Sequence, residues 1–487
     1  MEYTLGRRDV APAIFIAISA LAGLMGVLLP LETFAYTLAG GAFLAATLFF
    51  WRFGLVILML CLPIETAQIF LASGIYTVKF PVYFFLAILI CVAIFLYWRP
   101  SGFGPLVAHP MDICLLLVLA LEATALVWAP NFFFGATSLS LFVMNVAFYF
   151  IVTLTVRSPR DMSRFFDLVI ISGVIAASFL FWTAYDEGFT ERTFINKTIG
   201  YAYGLVEVEN RPGGLGGVDQ TAGFLAAGFI LAFTRLFDVI SKWKKYYYVV
   251  AGLYVFTGML LTTARGALVG CVAGIAAFII LHNRTRKWVF TSMTVFGLLT
   301  VVMILATKPG FIDRILTGFG YTGTLFFSGD KKVDTSSEGE DSSTGIGARV
   351  EWWKKGFAEM NHHPLKLVFG LGPGGFVHYS EAPEVHSVYL SLFFDIGLAG
   401  LVILLFAFYF MATSSHKAWA LCEDDRRLRL LLTGALAVTI GEVYVHGLIE
   451  YEYTSMLGRY PLLYLAMNVA MVNIIFKLRG ANKKAVN

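Results

Sequence analysis

Stretches of about 20 apolar residues recur along nearly the whole chain, and they decide what it can fold into. A helix of that length is about 30 Å long, the thickness of a bilayer's hydrocarbon core. The stretches fall at approximately 11–29, 33–51, 54–72, 79–98, 113–129, 137–156 and 164–185, then at 217–237, 246–263, 266–282, 288–306, 386–411, 428–449 and 455–476. The one at 54–72 is interrupted by Pro63 and Glu65. With 58% hydrophobic and 14% charged residues, this 487-residue chain has more apolar surface than a soluble fold can cover. The expected fold is all-α, a polytopic transmembrane bundle of about 14 helices.

Basic residues orient the bundle. With the N-terminus inside, as Arg7 and Arg8 suggest, alternation puts Arg157, Arg160 and Arg164 on the inner side. Arg235, Lys242, Lys244 and Lys245 follow there, then Arg284, Arg286 and Lys287, then Lys417, Arg426, Arg427 and Arg429, then the tail KLRGANKK. The short outer loops keep only Lys79, Arg265 and Arg459. Losing one helix would invert half of this pattern, so both termini are expected on the inner side. The first apolar run lacks a small-residue cleavage site and reads as an anchor that stays. Five cysteines lie in helices or an inner loop, so neither a disulfide framework nor a zinc site is indicated.

The chain divides into N-terminal membrane helices (1–185), an outer loop (186–216), central helices (217–306), a large outer loop (307–385), and C-terminal helices with an inner tail (386–487). Within the large loop, SGDKKVDTSSEGEDSSTG (328–345) is polar and reads as a mobile segment. In GARVEWWKKGFAEMNHHP, Val350, Trp353, Phe357 and Met360 are spaced three, four and three apart. That is an amphipathic helix ended by Pro364, and its two tryptophans suit a membrane interface. FGLGPGGF (369–376) then makes a glycine-rich turn. No Walker-type loop is present, and Asp424–Asp425 reads as a solvated inner loop. No metal or cofactor is expected, and no nucleic-acid partner.

Chemistry-bearing residues gather on the outer face. His386 stands at the start of a helix, in PEVHSVYL. An imidazole there is either a cap or a base whose pKa of about 6.5 suits neutral pH. Arg265, in LLTTARGALVG, lies so close to the hydrocarbon edge that it must snorkel or pair with an anion. Arg349 opens the amphipathic helix, and Arg211 stands in NRPGGLGG before another helix. Three guanidiniums and an imidazole on one face fit a lipid-linked diphosphate. Asp219 reads as a helix N-cap or a sugar contact. Glu442 and His446 read as acceptor-sugar contacts or as structural partners of neighbours such as Arg459. Glu65, Glu122 and Asp395 interrupt apolar runs and are expected to make helix–helix hydrogen bonds. His362 and His363 read as the end of the amphipathic helix.

The stretches ENRPGGLGGVDQTAGFLAA, LLTTARGALVG, GARVEWWKKGFAEMNHHPLKLVFGLGPGGF and HSVYLSLFFDIGLAG resemble, in order and spacing, the O-antigen ligase and O-antigen polymerase superfamily. The resemblance covers roughly residues 205–405. It implies a glycosyltransferase-C-like fold in the bacterial inner membrane, with the active face and both long outer loops in the periplasm. It implies a donor glycan on undecaprenyl diphosphate, a glycan or lipid acceptor, and other polysaccharide-assembly proteins nearby. The diphosphate would be held by Arg265 and Arg349, with Arg211 beside them, and the acceptor served by His386.

Such a donor carries its own leaving group, so neither metal nor nucleotide is needed, and attack from the opposite face inverts the anomeric carbon. The long chain and large outer loop favour polymerase over a ligase acting on lipid A-core or protein. A lipid-linked glycan transporter is the rival outside enzymes. Its binding groups would lie at the bilayer midplane, often in symmetric halves. Here the unusual polar residues lie on the outer face and in the second half.

Overall fold

The computed structural model describes residues 51–63, 67–71, 74–78, 108–186, 218–262, 264–282, 346–362, 364–380, 385, 387–449 and 459–486. The helices expected at 11–29, 79–98 and 288–306 lie outside these residues, with nearly all of that at 33–51. So do the acidic segment 328–345 and almost all of the loop 186–216.

The helix expected over 54–72 is corrected. Helix α1, Trp51–Cys61, ends just before Pro63, and a two-stranded antiparallel hairpin follows. Strand β1 (Ala67–Leu71) pairs with β2 (Gly74–Val78) in the register Ala67 to Val78 and Leu71 to Gly74. Proline cannot donate to the preceding turn and clashes with it, so the helix stops there. The end of α1 is tied down by side chains: Ser172 donates to the Met59 carbonyl at 2.7 Å and Tyr460 to the Leu62 carbonyl at 3.1 Å.

The remaining expected spans are found as helices. Helix α2 is Pro110–Ala125, prolonged by a 3-10 turn Leu126–Trp128, and α3 is Phe132–Thr155. Then come α4 (Pro159–Asp186), α5 (Val218–Asp238), α6 (Lys242–Leu261) and α7 (Arg265–Leu281). The segment before α11 holds α8 (Ile346–Asn361), α9 (Pro364–Phe369) and α10 (Gly375–Ser380). Helix α11 is Val388–Leu421, and α12, Arg426–Val438, runs on through a π-helical segment, Thr439–His446, and a last turn, Gly447–Ile449. Helix α13 is Arg459–Val486. Seven helices among the described residues are long and apolar enough to cross a membrane. The chain is a multi-pass membrane protein.

Helix α5 is the hub, packed by α4, α6, α7 and α12. Its run Ala222–Phe233 is buried on all sides, rich in alanine and glycine, which lets neighbouring backbones approach closely. At one end of the bundle, Arg235 pairs with Asp167 at 2.9 Å and with Asp238, Tyr248 donates to Asp167 at 2.7 Å, and Arg427 lies 3.5 Å from Asp238. Four helices are thus joined by one charge network. Asp425 accepts from the Arg427 and Leu428 amides and caps α12, so it is not the plain solvated residue expected.

Helix α11 is longer than expected and is broken. Ile396 and Gly397 leave helical geometry, Gly397 with φ 68° and ψ −163°. The carbonyls freed by the break are taken by the glycine-rich turn: Leu371 N–H donates to Phe394 O at 2.7 Å, and Gly372 N–H to Asp395 O at 3.0 Å. A Cβ on Gly397 would lie 2.3 Å from Val368 O, and one on Gly370 2.3 Å from Asp395 O. Only glycine fits where two backbones meet like this. The Asp395 carboxylate accepts from Gly374 N–H at 3.3 Å, a bond to this turn and not to another helix. Glu122 is buried, and its Oε2 has no hydrogen-bond partner among the described residues.

Candidate active site

At the bundle's opposite end from the charge network, the starts of α5, α7 and α11 meet the π segment after α12. Helix α7 packs along that segment. Glu442 and His446 stand on it four residues apart, with Oε2 2.9 Å from Nδ1, and both are buried. The carboxylate sets which ring nitrogen carries the hydrogen and holds the imidazole plane. The pair fits because the facing helices present glycine. A Cβ on Gly223 of α5 would lie 2.7 Å from His446 Cε1, and one on Gly270 of α7 2.9 Å from His446 Cβ and 3.1 Å from Glu442 Oε1. The two residues are therefore partners of each other. Widened π turns recur at functional positions because they re-aim side chains.

Gly223 follows Asp219 by four residues and Gly270 follows Arg265 by five, so both helix starts lie within about 6–8 Å of the pair along their axes. Helix α5 begins at Val218, which makes Asp219 its second residue and not its cap. Arg265 is the first residue of α7. The structure describes the backbone, but not the side chains, of both.

The start of α11 is fixed from two directions. Ser387 is buried and caps the helix, its Oγ accepting from Leu390 N–H at 3.5 Å. Tyr389 O–H donates to the Val443 and Tyr444 carbonyls of the π segment at 3.1 and 3.3 Å. From the other side, the Trp353 indole N–H donates to the Val385 carbonyl at 2.8 Å. Helix α8 therefore does not lie with its whole apolar stripe against lipid. Met360 is fully buried, and Phe357 sits against Phe393 and Phe394 at ring separations of 5.7 and 5.1 Å. Phe376 of α10 stacks on Phe394 at 4.6 Å. Arg349 is half-buried one turn before Trp353, on the same side of α8.

Of the residues expected at the site, Glu442 and His446 are brought together, and the starts of α5 and α7 carry Asp219 and Arg265 to the same end. Arg349 stands on α8, one turn before Trp353. His386 and Arg211 lie outside the described residues. Among the described residues no three His, Cys, Asp or Glu side chains come together as a metal site requires. Trp353 and Tyr389 are additions that sequence reasoning passed over: Trp353 stood in the amphipathic stripe, and Tyr389 gave no signal.

Residues 248–405 match the family model described as O-antigen ligase. No curated protein matches the chain.

Proposed function

Because residues 248–405 match the family model described as O-antigen ligase, we propose that the chain is a membrane glycosyltransferase of surface-polysaccharide assembly. It moves a glycan from a lipid diphosphate, undecaprenyl diphosphate, to an acceptor hydroxyl on the periplasmic face of the inner membrane. The observation that carries this reading is the convergence of the α5, α7 and α11 starts on the buried Glu442–His446 pair. Those starts carry Asp219 and Arg265 to one end of the bundle, the depth at which a lipid-anchored substrate would present its sugar.

In the reaction, the acceptor O–H gives its proton to His386 while its oxygen forms the new bond to the anomeric carbon. The bond from that carbon to the diphosphate breaks, and the lipid diphosphate leaves with the electron pair. Arg265 and Arg349 bind the growing negative charge through paired N–H donors, with Arg211 beside them. The Glu442–His446 pair lies beneath the acceptor with its hydrogen bond already made, so it sets the floor of the acceptor site together with Asp219. Inversion follows from attack opposite the leaving group. The large outer loop favours joining of repeat units over transfer to lipid A-core or protein.

Purified protein mixed with lipid-linked repeat units tests this. A ladder of products means polymerase, transfer only to an added acceptor means ligase, and no covalent change means a transporter and ends the reading. His386→Ala is expected to slow transfer about 10²–10⁴-fold, as losing a general base does. Arg265→Lys and Arg349→Lys keep charge but lose the planar fork, so each should still impair turnover substantially.

A further inference from the structure

We infer that Trp353 and Tyr389 are positioning residues that hold the chain on either side of His386; this rests on the reading of His386 as the base. Trp353 grips the Val385 carbonyl, the residue just before it, at 2.8 Å. Tyr389, three residues after it, is pinned to two π-segment carbonyls at 3.1 and 3.3 Å. Between them, Ser387 is buried and caps α11.

The two grips come from different bodies. Trp353 belongs to α8, whose Phe357 and Met360 pack on α10 and the first turns of α11, and which carries Arg349 one turn earlier. Tyr389 reaches the segment that holds Glu442 and His446. A displacement of α8 therefore moves the Arg349 end and the Val385 carbonyl together.

The proton transfer at stake is from the acceptor O–H to the imidazole, while the carbon–oxygen bond forms and the diphosphate departs. A bulky sugar hydroxyl needs the base within a narrow range of positions, and small shifts are costly. Water, attacking the same carbon, is far less demanding. A loosened base should thus lose glycan transfer before it loses donor hydrolysis. The ratio of the two does not depend on how much of the protein is folded.

The test uses the full chain in detergent with lipid-linked glycan and acceptor, measuring transferred and hydrolysed glycan in one reaction. Tyr389→Phe keeps the ring and deletes only the O–H donor, whereas Trp353→Phe deletes the N–H donor together with part of the indole. Each should lower the transfer-to-hydrolysis ratio about tenfold, the scale of one lost hydrogen bond, with the KM for the donor within about twofold. Should Trp353→Phe fold poorly, β-benzothienyl-alanine at that position replaces the N–H by sulfur and keeps the shape. An unchanged ratio in both variants, alongside an inactive His386→Ala, overturns the clamp and leaves the proposed function standing. Normal transfer by His386→Ala overturns both.

Discussion

His109 precedes Pro110 and caps α2 with a nitrogen lone pair: its Nδ1 accepts the Met111 N–H at 3.2 Å. Asp112 completes the cap by accepting the Ala108 and His109 amides at 2.9 and 2.8 Å, and the Tyr149 O–H donates to it at 2.7 Å. Burial pushes the His109 pKa below its ordinary value, against a smaller upward pull from the Asp112 charge. A protonated imidazole has no lone pair at Nδ1, so the cap exists only with neutral His109. Its contribution is fully present above the unfolded-state value, about 6.5, and is lost as pH falls through it toward the lower folded-state value. Lowering pH from 7.5 to 5 should therefore cost the wild type more thermal stability than His109→Asn, which caps without titrating. The difference should be about 1 kcal/mol, the size of a cap, read from melting midpoints in detergent at the two pH values. Equal losses in the two proteins would show that the cap does not depend on protonation.

The membrane-spanning helices from α2 onward are legible because each apolar run is bounded by charge or proline, whereas the short α9 and α10 beside the glycine-rich turn are not. What escaped was how the elements meet. Gly397 in FFDIGLAG looks like any glycine in an apolar run, and nothing local says that the chain bends there to receive Leu371 and Gly372. The stripe Val350, Trp353, Phe357, Met360 fixes a helix but not whether its partner is lipid or protein. The spacing of Glu442 and His446 was visible, whereas their burial depends on Gly223 and Gly270, far away in sequence. Asp395 was recognised as unusual, but its partner sits in the turn and not on a helix. The junction gives a direct test. Gly397→Ala forces a side chain into a φ and ψ that essentially only glycine adopts, and 2.3 Å from a carbonyl oxygen. Backbone strain alone is about 1–3 kcal/mol, so the variant should melt lower or fail to accumulate. Gly447→Ala should be tolerated, since its nearest neighbours would lie at 3.6 Å, and the pair of melting curves decides the matter.

Taken as a whole, the described bundle has one end knotted by Arg235, Asp167, Asp238 and Arg427, and another end where Tyr389, His446 and the glycine-rich turn gather. Helices α4 to α7 and α11 to α12 run alternately between these ends, as the spacing of basic residues required. The Lys and Arg pattern proposes which end faces the cell interior, and labelling tests it. Cysteines at Lys354 and Glu423, both exposed, are introduced into a chain freed of its own five cysteines. A membrane-impermeant thiol reagent on spheroplasts should mark the Lys354 position, and reach the Glu423 position only after permeabilisation. The reverse pattern would turn the whole arrangement upside down. The joint between Gly370 and Gly397 has a consequence for how such a protein can change. Two backbones touch there with no side chain between them, so there is nothing to trim when one partner grows. A substitution at either glycine has no compensating substitution at the other. Variation among related chains must then be found elsewhere, while the bend of α11 is inherited whole or not at all.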